Sequence, residues 1–315
     1  MAGREFDVVT GAFGYTGKYI TRRLLAMGRA VRTLTGHPDR GAAFNGNIEV
    51  APLQFDRAAE LVASLRGATT LYNTYWVRFP RGAVGYEKAV DNTRILIDAA
   101  REAGVRRIVH ISITNPSEDS NLGYFRGKAA IERLVVASGL TYAILRPTVI
   151  FGVEDVLVNN IAWLLRHCPV FAVPGSGDYR LQPVYVVDMA EMAVTAGRGS
   201  GNTVSDAVGP EIYTFQELVG LIADRVGSHA KVVHVRPGLA LFLSQMVGRV
   251  VHDVVLTKEE VAGLMAGLLV SRNPPTGRTR LSEWASRHAH LLARHYASEL
   301  RRHFHETGSA GGTNR

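Results

Sequence analysis

A doubly wound parallel sheet of the α/β class is the fold this sequence predicts, on three observations. Apolar runs alternate with helical patterns as far as Gly152; a glycine triplet (Gly11, Gly14, Gly17) lies between the first strand and the first helix; and beyond Gly152 the alternation breaks into a smaller, mostly helical region. The first half supplies the elements in order. "FDVVTGA" reads as a buried strand and "GKYITRRLLAMG" as the helix behind it. "AVRTLT" is the second strand, stopped by the breakers in "GHPDRG"; "IEVAPLQF" is the third, with "RAAELVASLRG" as its helix. "TTLYNTYW" is the fourth strand, and "YEKAVDNTRILIDAAREAG" a long amphipathic helix ended at Gly104. "RRIVHISI" is the fifth, and the helix around "GYFRGKAAIERLVVASG" leads into the sixth, "TYAILRPTVIFG". Such a run of strand–helix units is the pattern of a Rossmann-like nucleotide-binding fold.

After Gly152, "EDVLVNNIAWLLRHC" is helical and a Pro/Gly-punctuated stretch leads into another strand and helix. "NTVSDAVG" looks like one more strand of the sheet, and from "TFQELVGLIADRVG" onward the pattern is mostly helical. The expected organisation is a nucleotide-binding domain over residues 1–152 plus about 183–208, and a lobe over 153–182 plus 209–305 that covers the strand ends. Residues 306–315 read as a disordered tail.

Composition narrows the functions. With 46% hydrophobic and 20% charged residues the chain can bury a sizeable core. A single cysteine, Cys168, excludes an internal disulfide and any multi-cysteine metal site. The late histidines His288, His290, His303 and His305 have no acidic or cysteine partners, so no metal is expected. A net charge of +8 invites nucleic acid, but the arginines are scattered and not interleaved with aromatics, so no nucleic-acid partner is expected. The start enters a strand at once, which predicts a cytoplasmic protein. The longest apolar run, "LALFLSQMVGRVVHDVVL", is interrupted by Arg249, His252 and Asp253; it predicts no transmembrane segment and is read as a buried helix.

The glycine triplet has a physical reading. Gly11 permits the tight turn, Gly14 lets backbone N–H groups approach a pyrophosphate, and Gly17 lets the helix pack close to the sheet. An acidic residue at the end of the second strand would select NAD(H); here the chain reads Thr35-Gly36-His37-Pro38, with no carboxylate before Asp39. NADP(H) is therefore favoured over NAD(H), with His37, Arg40 and Arg32 as candidates for the extra phosphate.

Tyr124 and Lys128 lie four residues apart on a helix and so face the same way. A lysine ammonium near a phenol favours phenolate, which suits a tyrosine that gives a proton to a carbonyl or takes one from an alcohol. A proton-transfer pair of this kind usually has a hydroxyl partner, and the position expected for it is filled by Ile113, with Ser112 just before it; strand alternation puts Ser112 and Thr114 on one face and Ile113 on the other, and a bend after Ser112 would bring Thr114 into the site, with Asn115 close by.

The TGxxGxxG spacing, the stretches Leu145–Gly152 and Gln182–Asp188, and "GPEIYTFQELV" at Gly209–Val219 together resemble the extended and atypical short-chain dehydrogenases/reductases. This is the NAD(P)-dependent epimerase/dehydratase group, which on its atypical side includes NmrA-like proteins and relatives of an NADPH-binding accessory subunit of respiratory complex I. The resemblance implies that Phe13, Tyr15 and Thr16 join the glycine loop around the cofactor, and that Gln54 and Phe55 meet the adenine. It places Asn73, Thr74 and Tyr75 beside the nicotinamide ribose, with Lys128 and the Pro147, Thr148 and Val149 segment. It further implies a homodimer. Trp76 and Phe79 are candidates for an apolar substrate wall, and Trp163, Tyr179, Arg180 and Gln182 for lining from the second lobe. The expected function is hydride transfer to or from a small-molecule carbonyl or alcohol, by a reductase/dehydrogenase or an epimerase/dehydratase, with Tyr124 as acid/base. The alternative is a non-catalytic NAD(P)-binding regulatory or assembly protein, favoured by Ile113 and by the short stretch of 12 residues between Ser112 and Tyr124.

Overall fold

Val8 and Val9, neighbours on the first strand, are both fully buried on opposite faces of one sheet. The computed structural model describes residues 5–38, 43–80, 85–294, 296–298 and 300. The first half runs β1 (Phe6–Thr10), α1 (Tyr15–Ala26), β2 (Ala30–Thr35), β3 (Glu49–Pro52), α2 (Ala58–Leu65), β4 (Ala68–Asn73), α3 (Tyr86–Glu102), β5 (Arg107–Ile111), α4 (Gly123–Ala137) and β6 (Thr141–Pro147). The second half runs β7 (Ile150–Phe151), α5 (Leu157–His167), β8 (Val170–Pro174), β9 (Arg180–Leu181), β10 (Val184–Tyr185), α6 (Val186–Gly197), β11 (Thr203–Ala207), β12 (Tyr213–Thr214), α7 (Phe215–Val226), β13 (Lys231–Val235), α8 (Pro237–Val251), α9 (Lys258–Met265) and α10 (Leu281–His288).

The main sheet has seven parallel strands in the order β11-β6-β5-β4-β1-β2-β3. Strands buried on both faces must be apolar throughout, which is why their sequences read as continuous runs rather than alternations. α1 and α6 cover one face over Val9, Ile20, Leu24 and Met189; α2, α3 and α4 cover the other over Val8, Leu61, Leu96 and Ile131. Each such side chain contributes about 1.5–3 kcal/mol on burial. Chain order reverses between β1 and β4, so a crevice opens at their carboxyl ends. A buried network ties that seam. The Thr10 hydroxyl accepts from the backbone N–H of Thr74 (2.8 Å) and Tyr75 (3.1 Å) and lies 3.3 Å from the Asn73 side-chain carbonyl.

A second core gathers Phe151, Ile161, Leu165, Leu218, Ile222 and Trp284 beside the sheet. Its helices α7 and α9 each start with a capping box, Thr214 with Glu217 and Thr257 with Glu260. This part differs from the sequence expectation in three respects. It contains β13, a Val-rich strand that pairs parallel with β8, within the stretch read as mostly helical. α8 is not buried: Ala240 and Gly248 are its buried residues, while Phe242 (57%) and Val250 (76%) are widely exposed. Hydrophobicity alone does not distinguish a helix that faces a core from one that faces a cavity or the surface. α10 ends at His288, and residues 301–315, which include His303, His305 and the expected tail at 306–315, lie outside the described residues. Among the described residues no helix is long and apolar enough to cross a membrane.

Candidate functional site

The crevice at the strand ends opens into a cavity of about 1160 Å3 that reaches from the glycine loop to α8. At its near end Gly11 takes a left-handed conformation (φ 69°), and its carbonyl accepts from Gly14 N–H at 2.8 Å. A side chain at Gly17 would fall on the Gly11 carbonyl, so the helix can approach the turn only without one. α1 then starts with no side-chain cap and no acidic residue in its first turn, which leaves its first N–H groups for an anion. These residues fit the pyrophosphate of a dinucleotide. Phe13, Tyr15 and Thr16 complete this end of the lining.

His37 lines the cavity where β2 ends, held by its backbone N–H on the Thr35 hydroxyl at 3.0 Å. Arg40 lies outside the described residues. Arg32 does not reach the site: its guanidinium donates to Ser64 carbonyl and to Glu49 (2.8 Å) and stacks over Phe6. Of the pair at the third strand, Phe55 lines the cavity and Gln54 does not. Likewise Thr74 and Tyr75 line it, whereas Asn73 is wholly buried, with its amide on His110 Nδ1 at 3.2 Å. Asn73 is the last residue of β4, whereas Thr74 and Tyr75 lie beyond its end, as Gln54 and Phe55 lie beyond the end of β3. Burial pushes the His110 pKa well below its ordinary value, so this imidazole is a neutral part of the seam. Pro147, Thr148 and Val149 line the cavity, and the Thr148 hydroxyl donates to the Gln182 carbonyl.

The proton-transfer candidates gather deeper in. Tyr124 stands edge-on to Trp76 (5.6 Å) and Tyr86 (6.0 Å), whose rings stack on each other at 5.7 Å. Lys128, on the next turn of α4, is 3% exposed; its ammonium donates to Ile111 carbonyl at 2.9 Å and lies 4.8 Å from the Trp76 ring centre. Burial brings its pKa down to about 7, opposed by the Glu132 carboxylate. Ser112 lines the cavity too, 3% exposed, and among the described residues its Oγ has no hydrogen-bond partner; the same is true of Trp76 Nε1. A buried hydroxyl left unpaired is costly unless something else occupies the site. Thr114 is not in the lining. Its hydroxyl lies 3.4 Å from Pro147 carbonyl and 3.3 Å from Leu268 carbonyl, a tie between the sheet and the second lobe. Asn115 makes a similar tie, donating to Leu268 and Val270 carbonyls.

Two features escaped sequence reasoning. Glu259 of α9 accepts from the N–H groups of Gly123 (3.3 Å) and Tyr124 (3.0 Å), capping α4 from more than 130 residues away. Its neighbour Glu260 pairs with Arg78 at 2.5 Å. The capping box announces the start of α9, but no local signal says where that helix docks. The far wall is the other. Trp76 and Phe79 line the cavity, but Trp163, Tyr179, Arg180 and Gln182 do not. Trp163 stacks on His167, Tyr179 on Phe215, and Gln182 donates to Gly209 carbonyl. Their place is taken by aliphatic residues of α5, α8 and α9, among them Ile161, Leu164, Leu243 and Leu264.

Comparison with known proteins agrees with this architecture. Residues 11–155 match a family of NAD(P)H-binding domains. The chain is 30% identical over 266 residues to sterol demethylase protein B of Methylococcus capsulatus, covering 74% of this chain and 76% of that protein. It is 27% identical over 229 residues to the mitochondrial NADH dehydrogenase [ubiquinone] 1 alpha subcomplex subunit 9 of Arabidopsis thaliana, covering 69% of this chain and 57% of the plant protein. The chain thus spans less than two thirds of that relative's length, and 64% of its Dictyostelium discoideum counterpart. Among solved structures, the NADPH-dependent quinone oxidoreductase of Escherichia coli, complexed with NADPH, superposes with a TM-score of 0.72 at 22% identity. That match covers 90% of this chain and 99% of that one, and at this identity it shows the fold alone. Taken with the glycine loop and the parallel sheet, these matches place the chain in the NAD(P)H-binding, extended and atypical group of the short-chain dehydrogenases/reductases.

Proposed function

We propose that the protein is an NADP(H)-dependent oxidoreductase acting on a carbonyl or alcohol carbon of a small molecule, with Tyr124 as acid and base. The observation that carries this reading is the convergence of Tyr124, Lys128 and the unpartnered Ser112 hydroxyl on one cavity with the glycine loop. Gly11, Gly14 and the first N–H groups of α1 would hold the dinucleotide, with His37 toward its phosphate-bearing ribose. A nicotinamide held there would supply hydride-transfer chemistry, toward a carbonyl carbon or from an alcohol carbon. Tyr124 gives its phenolic proton to the carbonyl oxygen and recovers one from solvent; in the oxidative direction it takes the alcohol proton. Ser112 donates a hydrogen bond to the same oxygen, and Ile113 beside it is apolar wall. Lys128, with a pKa of about 7, stands where a proton can be exchanged near neutrality. The stacked pair Trp76 and Tyr86 holds the phenol ring edge-on between the two of them and the cavity.

Reductase/dehydrogenase and epimerase/dehydratase turnover share this step and differ in whether the cofactor leaves. Mass spectrometry of nucleotide released from the denatured protein separates them: near-stoichiometric NADP points to redox in place, and little nucleotide to a cofactor exchanged each turnover. NADPH oxidation by wild type, and its loss in Tyr124→Phe, tests the reading itself. The likeness to the plant NADH dehydrogenase subunit supports a second reading, a non-catalytic NAD(P)-binding assembly protein. Cellular function that survives Tyr124→Phe with dinucleotide still bound would favour it.

A further inference from the structure

The cavity, about 1160 Å3, runs on beyond the glycine loop and the Tyr124–Lys128 end as far as α8. What lines the extra space decides what fills it. The polar side chains that the second lobe turns toward the cavity are, Cys168 apart, already bonded within the protein. Asp155 accepts from the N–H of Gly152 and Val158, and Asn160 exchanges hydrogen bonds with the backbone of Ala297. The Ser244 hydroxyl donates to Leu241 carbonyl, and Glu259 and Glu260 are held as described above. Basic side chains on the described lining are His37, Arg78 and Lys128; Arg78 is paired with Glu260, and Lys128 is buried against Ile111 carbonyl. A diphosphate or a ring of sugar hydroxyls placed in this half would lose its water and find no partners.

The outer end is apolar as well. Leu243 and Met246 of α8 line the cavity and are also 40% and 45% exposed, so the cavity opens beside them, next to the exposed Phe242. By contrast, the unpartnered polar atoms Ser112 Oγ and Trp76 Nε1 are both at the inner end, around Tyr124 and Lys128.

We infer that the site takes a large, uncharged, apolar molecule with a carbonyl or hydroxyl at one end, of prenyl-chain or steroid class, whose apolar body runs out along α8. This rests on the hydride-transfer reading only for the identity of the reacting group; the class of the body follows from the wall. A chain longer than the cavity is accommodated because the mouth continues onto the exposed apolar face of α8.

The test is binding by the full-length protein, with NADPH present, of butan-2-one, octan-2-one and dodecan-2-one, read by displacement of the uncharged dye Nile red; UDP-glucose is the polar competitor. Binding is expected to tighten about fourfold per added methylene, and UDP-glucose to displace nothing. The same series on Tyr124→Phe should keep its chain-length dependence. Leu243→Glu and, independently, Met246→Glu should each weaken dodecan-2-one at least about tenfold, their altered side chains being half-exposed and compatible with folding. Affinity independent of chain length, or UDP-glucose displacing the dye better than dodecan-2-one, would overturn the inference. Chain-length-dependent binding with no turnover of any ketone overturns hydride transfer and leaves the substrate class standing; turnover with flat affinity does the reverse.

Discussion

Glu259 caps the helix that carries Tyr124: its carboxylate accepts from the tyrosine's own backbone N–H at 3.0 Å and from Gly123 N–H at 3.3 Å. α4 has no side-chain cap of its own, so the second lobe supplies what the local sequence leaves out. Glu259→Ala should cost about 1 kcal/mol of stability, seen as a lower melting temperature. It should lower kcat severalfold while dinucleotide affinity, set at the opposite end of the cavity, stays unchanged. Glu259→Gln should recover part of both losses.

Ser112 and Thr114 should separate chemistry from stability. The Ser112 hydroxyl has no partner, so Ser112→Ala should leave stability within about 0.5 kcal/mol while turnover falls about a hundredfold. The Thr114 hydroxyl faces the Pro147 and Leu268 carbonyls. Thr114→Val should therefore cost about 1 kcal/mol with KM and kcat nearly unchanged. Denaturant melts and steady-state kinetics on both variants check this, and the opposite assignment would exchange the two results.

Gly17→Ala places a methyl group on the Gly11 carbonyl. The turn must open, and dinucleotide binding should weaken by at least about 1.4 kcal/mol, or tenfold. Titration by nicotinamide fluorescence reads the change directly.

Lys128 makes stability depend on pH with a definite sign. Its proton is held less tightly in the folded protein (pKa about 7) than at its ordinary 10.5. Between those values the unfolded chain binds more protons, so stability rises with pH, with a slope approaching about 1.4 kcal/mol per unit. Lys128→Met should lack that rise. The difference between the two melting profiles from pH 7.5 to 9.5 isolates it, below the range where the buried tyrosines Tyr72 and Tyr86, both pushed up, begin to act in the unfolded chain.

The sheet was legible because doubly buried strands must be apolar and their turns must break, and both marks are local. The inner site was legible for the same reason: the glycine triplet and the Tyr124–Lys128 spacing each fit within a few residues. Whether Asn73 or Thr74 faced the cavity depended on where the fourth strand ended. The expected run to Trp76 stops at Asn73, and one residue of error exchanges the faces. The fifth strand likewise ends at Ile111, so alternation does not carry from Ser112 to Thr114. The far wall was hidden for a different reason. α8 has the composition of a core helix, and only the packing of α5, α8 and α9 around one space shows that its inner face meets a void. Glu259 was out of reach altogether, since a carboxylate that serves another helix leaves no trace in its own neighbourhood.

Adjacent glutamates on α9, a helix of eight residues, grip two different parts of the sheet domain, Glu259 at α4 and Glu260 at Arg78. The two grips lie on one short helix, so α9 ties the second lobe both to α4 and to the Arg78 segment. The Tyr124 amide proton is held by Glu259, and its exchange with solvent deuterium is expected to report how often that contact opens.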